Sequence, residues 1–408
     1  MSRPLPLPWP ARALNGLGRA SGRLGFPVRR FEPERLLAAA CRATGLDDFG
    51  ETDFREGLTR LCASLEGDAH LSAVGRLGLW EQVVGSLATR LHRVAARRDP
   101  KRKASGLVAP LIVVGLPRSG TTHLHRLLAH LPDARALRYF EVRHPLAAPG
   151  PDRRREQTAR ELARIKRLVP DLDAKHFIDV DEPEECIFLL ASSLRSPSFW
   201  MLAPVYGYLE WLRTADLAPA YSTYREHLEL FQAESPGSRL TLKAPAHTRA
   251  LGELATALPE ACFVQTHRDP LPVIGSVNSL FATFFSLASE APDLPRMART
   301  NLELLADLVD RADAVRERLG DRVLDVDYDA LVAEPVATVE RIARHFGLRW
   351  DAAAERALEA VAGDREQHRH GKHAYDVAEF GLSRAEVERR FSRYRARHLG
   401  ENHHDTAE

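Results

Sequence analysis

Apolar residues recur at three- and four-residue steps from Pro33 to about Leu91, as in Leu36, Leu37 and Ala40 and again in Leu58, Leu61 and Leu65. That spacing puts them on one face of a 3.6-residue helix, so residues 1–95 read as a helical lead-in. The segment ARALNGLGRASGRLG is expected to form a further helix docked ahead of them. RVAARRDPKRKASG, Arg93 to Gly106, is basic, is broken at Pro100 and ends in small residues, which predicts an exposed linker. Beyond it the pattern changes to short β-branched runs alternating with longer helical periods, the signature of a parallel sheet covered by helices. The predicted strands are Leu111 to Val114, Arg239 to Leu242, Cys262 to Thr266 and Val323 to Val326. Between the first two, residues 143–236 read mostly as helix, and an insertion of this kind suits a substrate pocket while the sheet holds position.

The strongest local signal is PLIVVGLPRSGTTHLHRLLAH, Pro110 to His130: an apolar strand, a glycine-bounded turn, then Leu124, Leu127, Leu128 and Leu131 on one helical face. Phosphate needs inward-pointing backbone N–H groups, which Gly115 and Gly120 permit by letting the chain curl closely, and a helix N-terminus adds favourable dipole charge. Arg118 supplies a cation, and Ser119, Thr121 and Thr122 supply hydroxyls. The segment narrowly misses the nucleotide-binding pattern GxxxxGK followed by Ser or Thr, because Thr121 stands where that pattern needs lysine. Without the lysine that reaches the β and γ phosphates, a conventional triphosphate hydrolase or kinase is disfavoured. The expected fold is therefore α/β, a P-loop-like central parallel sheet flanked by helices. It carries an N-terminal helical extension and basic linker over 1–100, a core over 101–350, and C-terminal helices with a loop and tail over 351–408.

A second strand-to-helix turn lies in THRDPLPVIGSVNSL, where Arg268 follows the strand and Ser276 stands two helical turns on, so the two side chains can grip one anion. GLPRSGTTHLHRLL and THRDPLPVIGSVNSL together resemble the two signatures by which the sulfotransferase family binds 3′-phosphoadenosine 5′-phosphosulfate (PAPS). LKAPAH between them resembles that family's acceptor-side strand, and the long helical N-terminal portion is similar to the family's bacterial branch. The resemblance covers roughly Val108 to Leu382. It implies that Arg118, Ser119, Gly120, Thr121 and Thr122 hold the 5′-phosphosulfate and that Arg268 and Ser276 bind the 3′-phosphate. HRHGKHAYDVAEFGL resembles the basic glycine loop that closes over the same phosphate, which implies roles for Arg369, Gly371 and Lys372. The products implied are a sulfated alcohol and adenosine 3′,5′-bisphosphate, with no metal required.

Sulfuryl transfer needs a base for the acceptor proton and a cation for the departing phosphate. Arg118 matches the position of the family's leaving-group cation. For the base, His247 follows Lys243 by four residues, where cytosolic relatives place a catalytic histidine two after the lysine. Glu184 and Glu185, in HFIDVDEPEECIFLL, are the other candidates, as is a plain helix start at Pro183 with no chemistry. FWMLAPVYGYLEWL brings Phe199, Trp200, Tyr206, Tyr208 and Trp211 close in sequence, either as an apolar acceptor pocket or as core packing.

Composition narrows the rest. Of 408 residues 44% are hydrophobic and 28% charged, the mixture of a folded globular chain, and 57 basic residues balance 56 acidic ones. No global field favours nucleic acid, so an anion site has to be local. The four cysteines lack paired metal-ligand spacing, and the histidines of HRHGKH and His403–His404 lie in loop or tail sequence, so no metal is expected. With no apolar run of the roughly 20 residues a membrane helix needs and no secretory core, a cytoplasmic enzyme acting on a small-molecule hydroxyl is expected. One bias cuts across this: residues 1–31 carry arginines and no acid, which also marks organelle transit peptides. A P-loop-type phosphotransferase and a non-catalytic nucleotide-binding module are the competing readings.

Overall fold

Five strands form one fully parallel sheet: β1 (Leu111–Gly115), β2 (Ala134–Ala136), β3 (Arg239–Lys243), β4 (Cys262–His267) and β5 (Val323–Asp327), in the order β2-β3-β1-β4-β5. The computed structural model describes residues 6–23, 29–99, 106–147, 150–362 and 376–400. β1 is central, with Ile112 opposite Leu242 on one side and Phe263 on the other. It is buried on both faces, so it reads as a continuous apolar run, and alternate residues serve different layers. Ile112 and Val114 join the core that includes Leu242 and Phe263, while Leu111 and Val113 pack with Leu124, Val264 and Ile342. The chain leaves β1 towards β2 on one side and reaches β4 and β5 on the other. The crevice at the carboxyl ends of β1, β3 and β4 is therefore a topological switch point, where α/β sheets bind ligands.

Ahead of the sheet lie α1 (Trp9–Arg23), α2 (Pro33–Thr44), α3 (Phe54–Gly67) and α4 (Ala73–Arg98). The predicted linker begins later than expected, because α4 runs through Arg93 to Arg98. Two basic residues of α4 are buried, Arg90 against Asp53 (2.8 Å) and the carbonyls of Phe49 and Glu51 and Arg93 against Glu226, while Arg97 and Arg98 stay exposed. α5 (Thr121–Leu128) follows β1. The insertion holds α6 (Tyr139–Arg143), α7 (Arg154–Leu168), α8 (Leu172–Lys175), α9 (Ile187–Leu190), α10 (Ser198–Leu202), α11 (Tyr206–Thr214) and α12 (Ala218–Glu234). α13 (Leu251–Ala257) joins β3 to β4, and α14 (Pro270–Ala288) and α15 (Leu294–Leu319) join β4 to β5. α16 (Tyr328–Ala333), α17 (Pro335–Phe346), α18 (Ala352–Ala362), α19 (Arg384–Arg390) and α20 (Ser392–His398) complete the described chain.

The N-terminal helices share a core with the helices that follow β4: Leu36, Leu61 and Leu87 belong to the same apolar cluster as Phe285, Met297 and Phe391. Among the described residues one helix comes near the length and apolarity of a membrane span. α14 is 19 residues with a mean hydropathy of 1.5, and most of its apolar window is buried inside the protein. It is the shared wall between the N-terminal helices and the crevice.

Candidate active site

The turn after β1 is held by backbone geometry that its sequence dictates. Gly115 has φ +124°, and a Cβ there would lie 2.4 Å from the Thr266 carbonyl oxygen, so β1 and β4 meet at a distance only glycine permits. Arg118 has φ +64°, a left-handed conformation uncommon for a side-chain residue and typical of functional sites. Ser119 is fully buried, and its hydroxyl donates to the Leu116 carbonyl oxygen (2.5 Å) and lies 2.6 Å from Thr266 Oγ1. It staples the turn, while Arg118, Gly120, Thr121 and Thr122 line the cavity above it.

That cavity has a volume of about 1160 Å³ and begins at the turn. On its β4 side Arg118, Arg268 and Ser276 come together, although not as the sequence spacing suggested. Arg118 Nε donates to Ser276 Oγ (3.0 Å), and Arg268 Nη1 donates to the Arg118 carbonyl oxygen (2.6 Å). The Arg268 guanidinium also stacks 3.9 Å above the Tyr328 ring, which fixes a delocalised cation at the cavity wall. Arg369, Gly371 and Lys372 lie outside the described residues.

On the β3 side the structure replaces the expected helix start at Pro183 with an extended strip. Pro183 bridges Arg138, Glu184 N donates to the Leu137 carbonyl oxygen (3.0 Å), and Cys186 N donates to that of Lys243 (3.0 Å). Both glutamates are thereby turned towards Lys243, the last residue of β3. Its fully buried Nζ lies 3.0 Å from Glu185 Oε1 and 3.6 Å from Glu184 Oε1. Burial alone would pull the ammonium pKa down, and the two carboxylates, Glu185 foremost, hold it above its usual 10.5. Burial likewise acts to raise Glu184, but the Lys243 charge and the contact with His176 (3.6 Å) outweigh it and keep that carboxyl far below the usual range. The Glu185 side chain keeps 25% of its surface exposed against 7% for Glu184, and both line the cavity.

His247 sits elsewhere. It is fully buried in a 3₁₀ turn, Pro245–Ala250, of which Pro245, Ala246, Arg249 and Ala250 reach the cavity and His247 does not. Its Nδ1 lies 3.0 Å from the Tyr221 hydroxyl and its Nε2 3.4 Å from Cys186 Sγ. Burial brings its pKa down to about 3, so it is a neutral, fully committed ring behind the wall. His176, His123 and Arg126 line the same space without any local sequence signal having marked them.

The remainder of the cavity is apolar. Trp200 and Met201 face Phe281 and Phe284 of α14 and Leu304 and Leu308 of α15. Of the five clustered aromatics only Trp200 reaches this wall. Phe199 and Tyr208 are wholly core, and Tyr206 and Trp211 pack against that core. Trp200 is held by its indole N–H donating to Asn301 Oδ1 (2.9 Å) and by an edge contact with Phe285. No group of three or more His, Cys, Asp or Glu among the described residues is arranged to hold a metal ion.

A glycine-bounded strand-to-helix turn at the switch point, two arginines beside it and a carboxylate–lysine pair thus gather around one cavity on an α/β sheet. The comparisons give the family. Residues 110–352 match the model of the Sulfotransferase family. The crystal structure of a Mycobacterium tuberculosis sulfotransferase superposes with a TM-score of 0.75 at 31% identity, covering 88% of this chain and 98% of that one. A Mycobacterium avium sulfotransferase superposes at 0.80 with 25% identity, covering 89% and 96%. The omega-hydroxy-beta-dihydromenaquinone-9 sulfotransferase of Mycobacterium bovis is 25% identical over 290 residues, 67% of this chain and 68% of that protein. The chain belongs to the sulfotransferase family.

Proposed function

We propose that this sulfotransferase moves a sulfuryl group from PAPS to the hydroxyl of an apolar small molecule or lipid. The observation that carries the reading is the continuity of one cavity from the phosphate turn, past Glu184 and Glu185, into walls made by Trp200, Phe281, Phe284 and Leu308. The turn supplies backbone N–H groups and the start of α5 for the 5′-phosphosulfate, and Arg118 and Arg268 supply the positive charge that a doubly phosphorylated nucleotide requires. Arg268, locked on Tyr328, is the residue assigned to the 3′-phosphate.

In the transfer the acceptor oxygen forms a bond to sulfur, and the bond between sulfur and the bridging phosphate oxygen breaks. The electron pair of that bond stays on the departing phosphate, where Arg118 balances the growing charge. The acceptor proton goes to Glu185. Glu184, clamped between Lys243 and His176, is a weaker proton acceptor, and His247 does not face the cavity. The Mycobacterium bovis relative is named for a menaquinone derivative, a long apolar alcohol, which accords with the apolar walls here.

The test is to titrate adenosine 3′,5′-bisphosphate and then follow products by mass spectrometry with PAPS and a series of alcohols from short polar to long apolar. Saturable binding, weakened by about ten- to a hundredfold in Arg268→Ala, and sulfation that improves with chain length are expected. Absence of binding at millimolar ligand overturns the donor assignment. Preference for short polar alcohols overturns the acceptor class.

A further inference from the structure

Five large apolar side chains stand exposed among the described residues, and three of them, Trp9 (72%), Leu14 (44%) and Leu17 (69%), belong to α1. A fourth, Leu77, stands one turn along α4 from Ala73, against which α1 packs at Gly18. The helix has three distinct sectors. Ala11, Asn15 and Gly18 recur at helical spacing on the docked side, where Asn15 Oδ1 accepts the Val74 N–H (3.0 Å). Trp9, Ala13, Leu17 and Ala20 share the exposed side, and Arg12 and Arg19, seven residues apart, lie along one edge of it. α1 contains no acid, and residues 1–31 carry six arginines and neither Asp nor Glu.

We propose that α1 is an interfacial docking helix that seats the protein on an anionic lipid bilayer. An apolar sector bordered by arginines is the arrangement that lies in the headgroup region with its apolar side inserted. The charge selects the partner. In a symmetric dimer α1 would meet only the acid-free α1 of the second copy, whereas anionic headgroups complement Arg12 and the acid-free sequence around it. The position in the fold adds a reason. Ser72, which caps α4 beside α1, donates its backbone N–H to the Ala288 carbonyl oxygen at the end of α14 (2.8 Å), and Arg19 pairs with Glu290 (2.8 Å). Phe284, one turn before Ala288, lines the apolar end of the cavity. The docking surface therefore adjoins the wall through which a membrane-dissolved alcohol would be taken up. The proposal does not depend on the transfer reading.

The experiment is cosedimentation of the full chain with vesicles of phosphatidylcholine alone or mixed with phosphatidylglycerol, at low and high salt. Wild type should pellet with the anionic vesicles and be released by salt. The Trp9→Ala/Leu17→Ser variant should bind about tenfold less, and Arg12→Gln should lose part of the salt-sensitive binding. Bisphosphate binding and thermal midpoint measured on the same samples show that the variants are folded and keep the two readings separate. Equal pelleting of wild type and the double variant overturns the proposal. So does failure to pellet with anionic vesicles together with a dimer, seen by light scattering, that the double variant abolishes.

Discussion

At Lys243 three charges meet in almost no solvent, and the balance among them decides which residue can move a proton. A fully buried ammonium is costly by itself, so it persists only because Glu185 and Glu184 both face it. Glu185 takes the closer contact with Lys243 (3.0 Å), whereas Glu184 is held on both oxygens, by His176 and by Lys243, and is the more buried of the two, so the proposed base is Glu185. Glu185→Gln should then lower kcat by about 10² to 10⁴, the usual contribution of a positioned base. Glu184→Gln should lower the thermal midpoint more than the rate, and His247→Ala should leave kcat within about tenfold while destabilising the fold, since it empties a packed site. Full activity in Glu185→Gln, measured at saturating donor and acceptor, would assign the base elsewhere. Sequence named all four of these residues, yet it could not rank them. Lys243 and Glu185 lie 58 positions apart, and nothing in the local pattern around His247 records that both ring nitrogens are already engaged.

At the scale of elements, what was legible is what repeats locally. Four strands were readable: β1, β3 and β4 because central parallel strands are buried on both faces, and the edge strand β5 because Val323, Leu324 and Val326 still mark it. β2 was not, because Ala134–Ala136 is three residues at the sheet edge with an arginine in the middle and no burial period. The start of the predicted linker failed for the opposite reason. A basic run is ordinarily solvated, and the distant Glu226 turns Arg93, the first residue of the run, into a buried helix residue. The strand–turn–helix after β1 was readable in detail because its glycines are demanded by the backbone itself. That demand is graded. A Cβ at Gly115 meets the backbone of Thr266 at 2.4 Å, whereas one at Gly120 meets a movable Leu331 methyl at 3.0 Å. Both positions have positive φ, so alanine is strained at each, but only the first also forces β1 and β4 apart. Gly115→Ala should cost about 2–4 kcal/mol and Gly120→Ala about 1–2 kcal/mol, visible as a larger fall in thermal midpoint and in bisphosphate affinity for the first. The reverse order would mean that the turn is not held by the β1–β4 contact.

Among the described residues three fully buried histidines have the most depressed pKa values, and with the smaller downward shifts of His92, His123 and His267 they set how the protein meets acid. His125 is fully buried with Nε2 donating to the Thr241 carbonyl oxygen (3.0 Å), and burial, aided by the Lys243 charge, lowers its pKa to about 4. His227, beside Ser192, and His247, beside Tyr221, are lowered to about 3, chiefly by burial. In the unfolded chain each takes a proton below the ordinary value of about 6.5, while in the folded protein each stays neutral until far lower pH. The unfolded state thus binds more protons, so stability is complete above pH 6.5 and falls as pH drops towards the folded values. Each histidine should remove about 2 kcal/mol by pH 5, before the depressed carboxylates such as Glu161 (about 2) begin to titrate. A thermal midpoint followed from pH 8 to pH 5 should hold steady and then decline below about pH 6.5. His125→Gln, which retains a donor for Thr241, should shed part of that slope, up to about one third, since the groups lie in separate contacts and add while His92, His123 and His267 contribute the smaller remainder. A midpoint unchanged down to pH 5 would show that these rings are protonated in the folded protein, and that the Lys243 charge does not reach His125 as the packing implies.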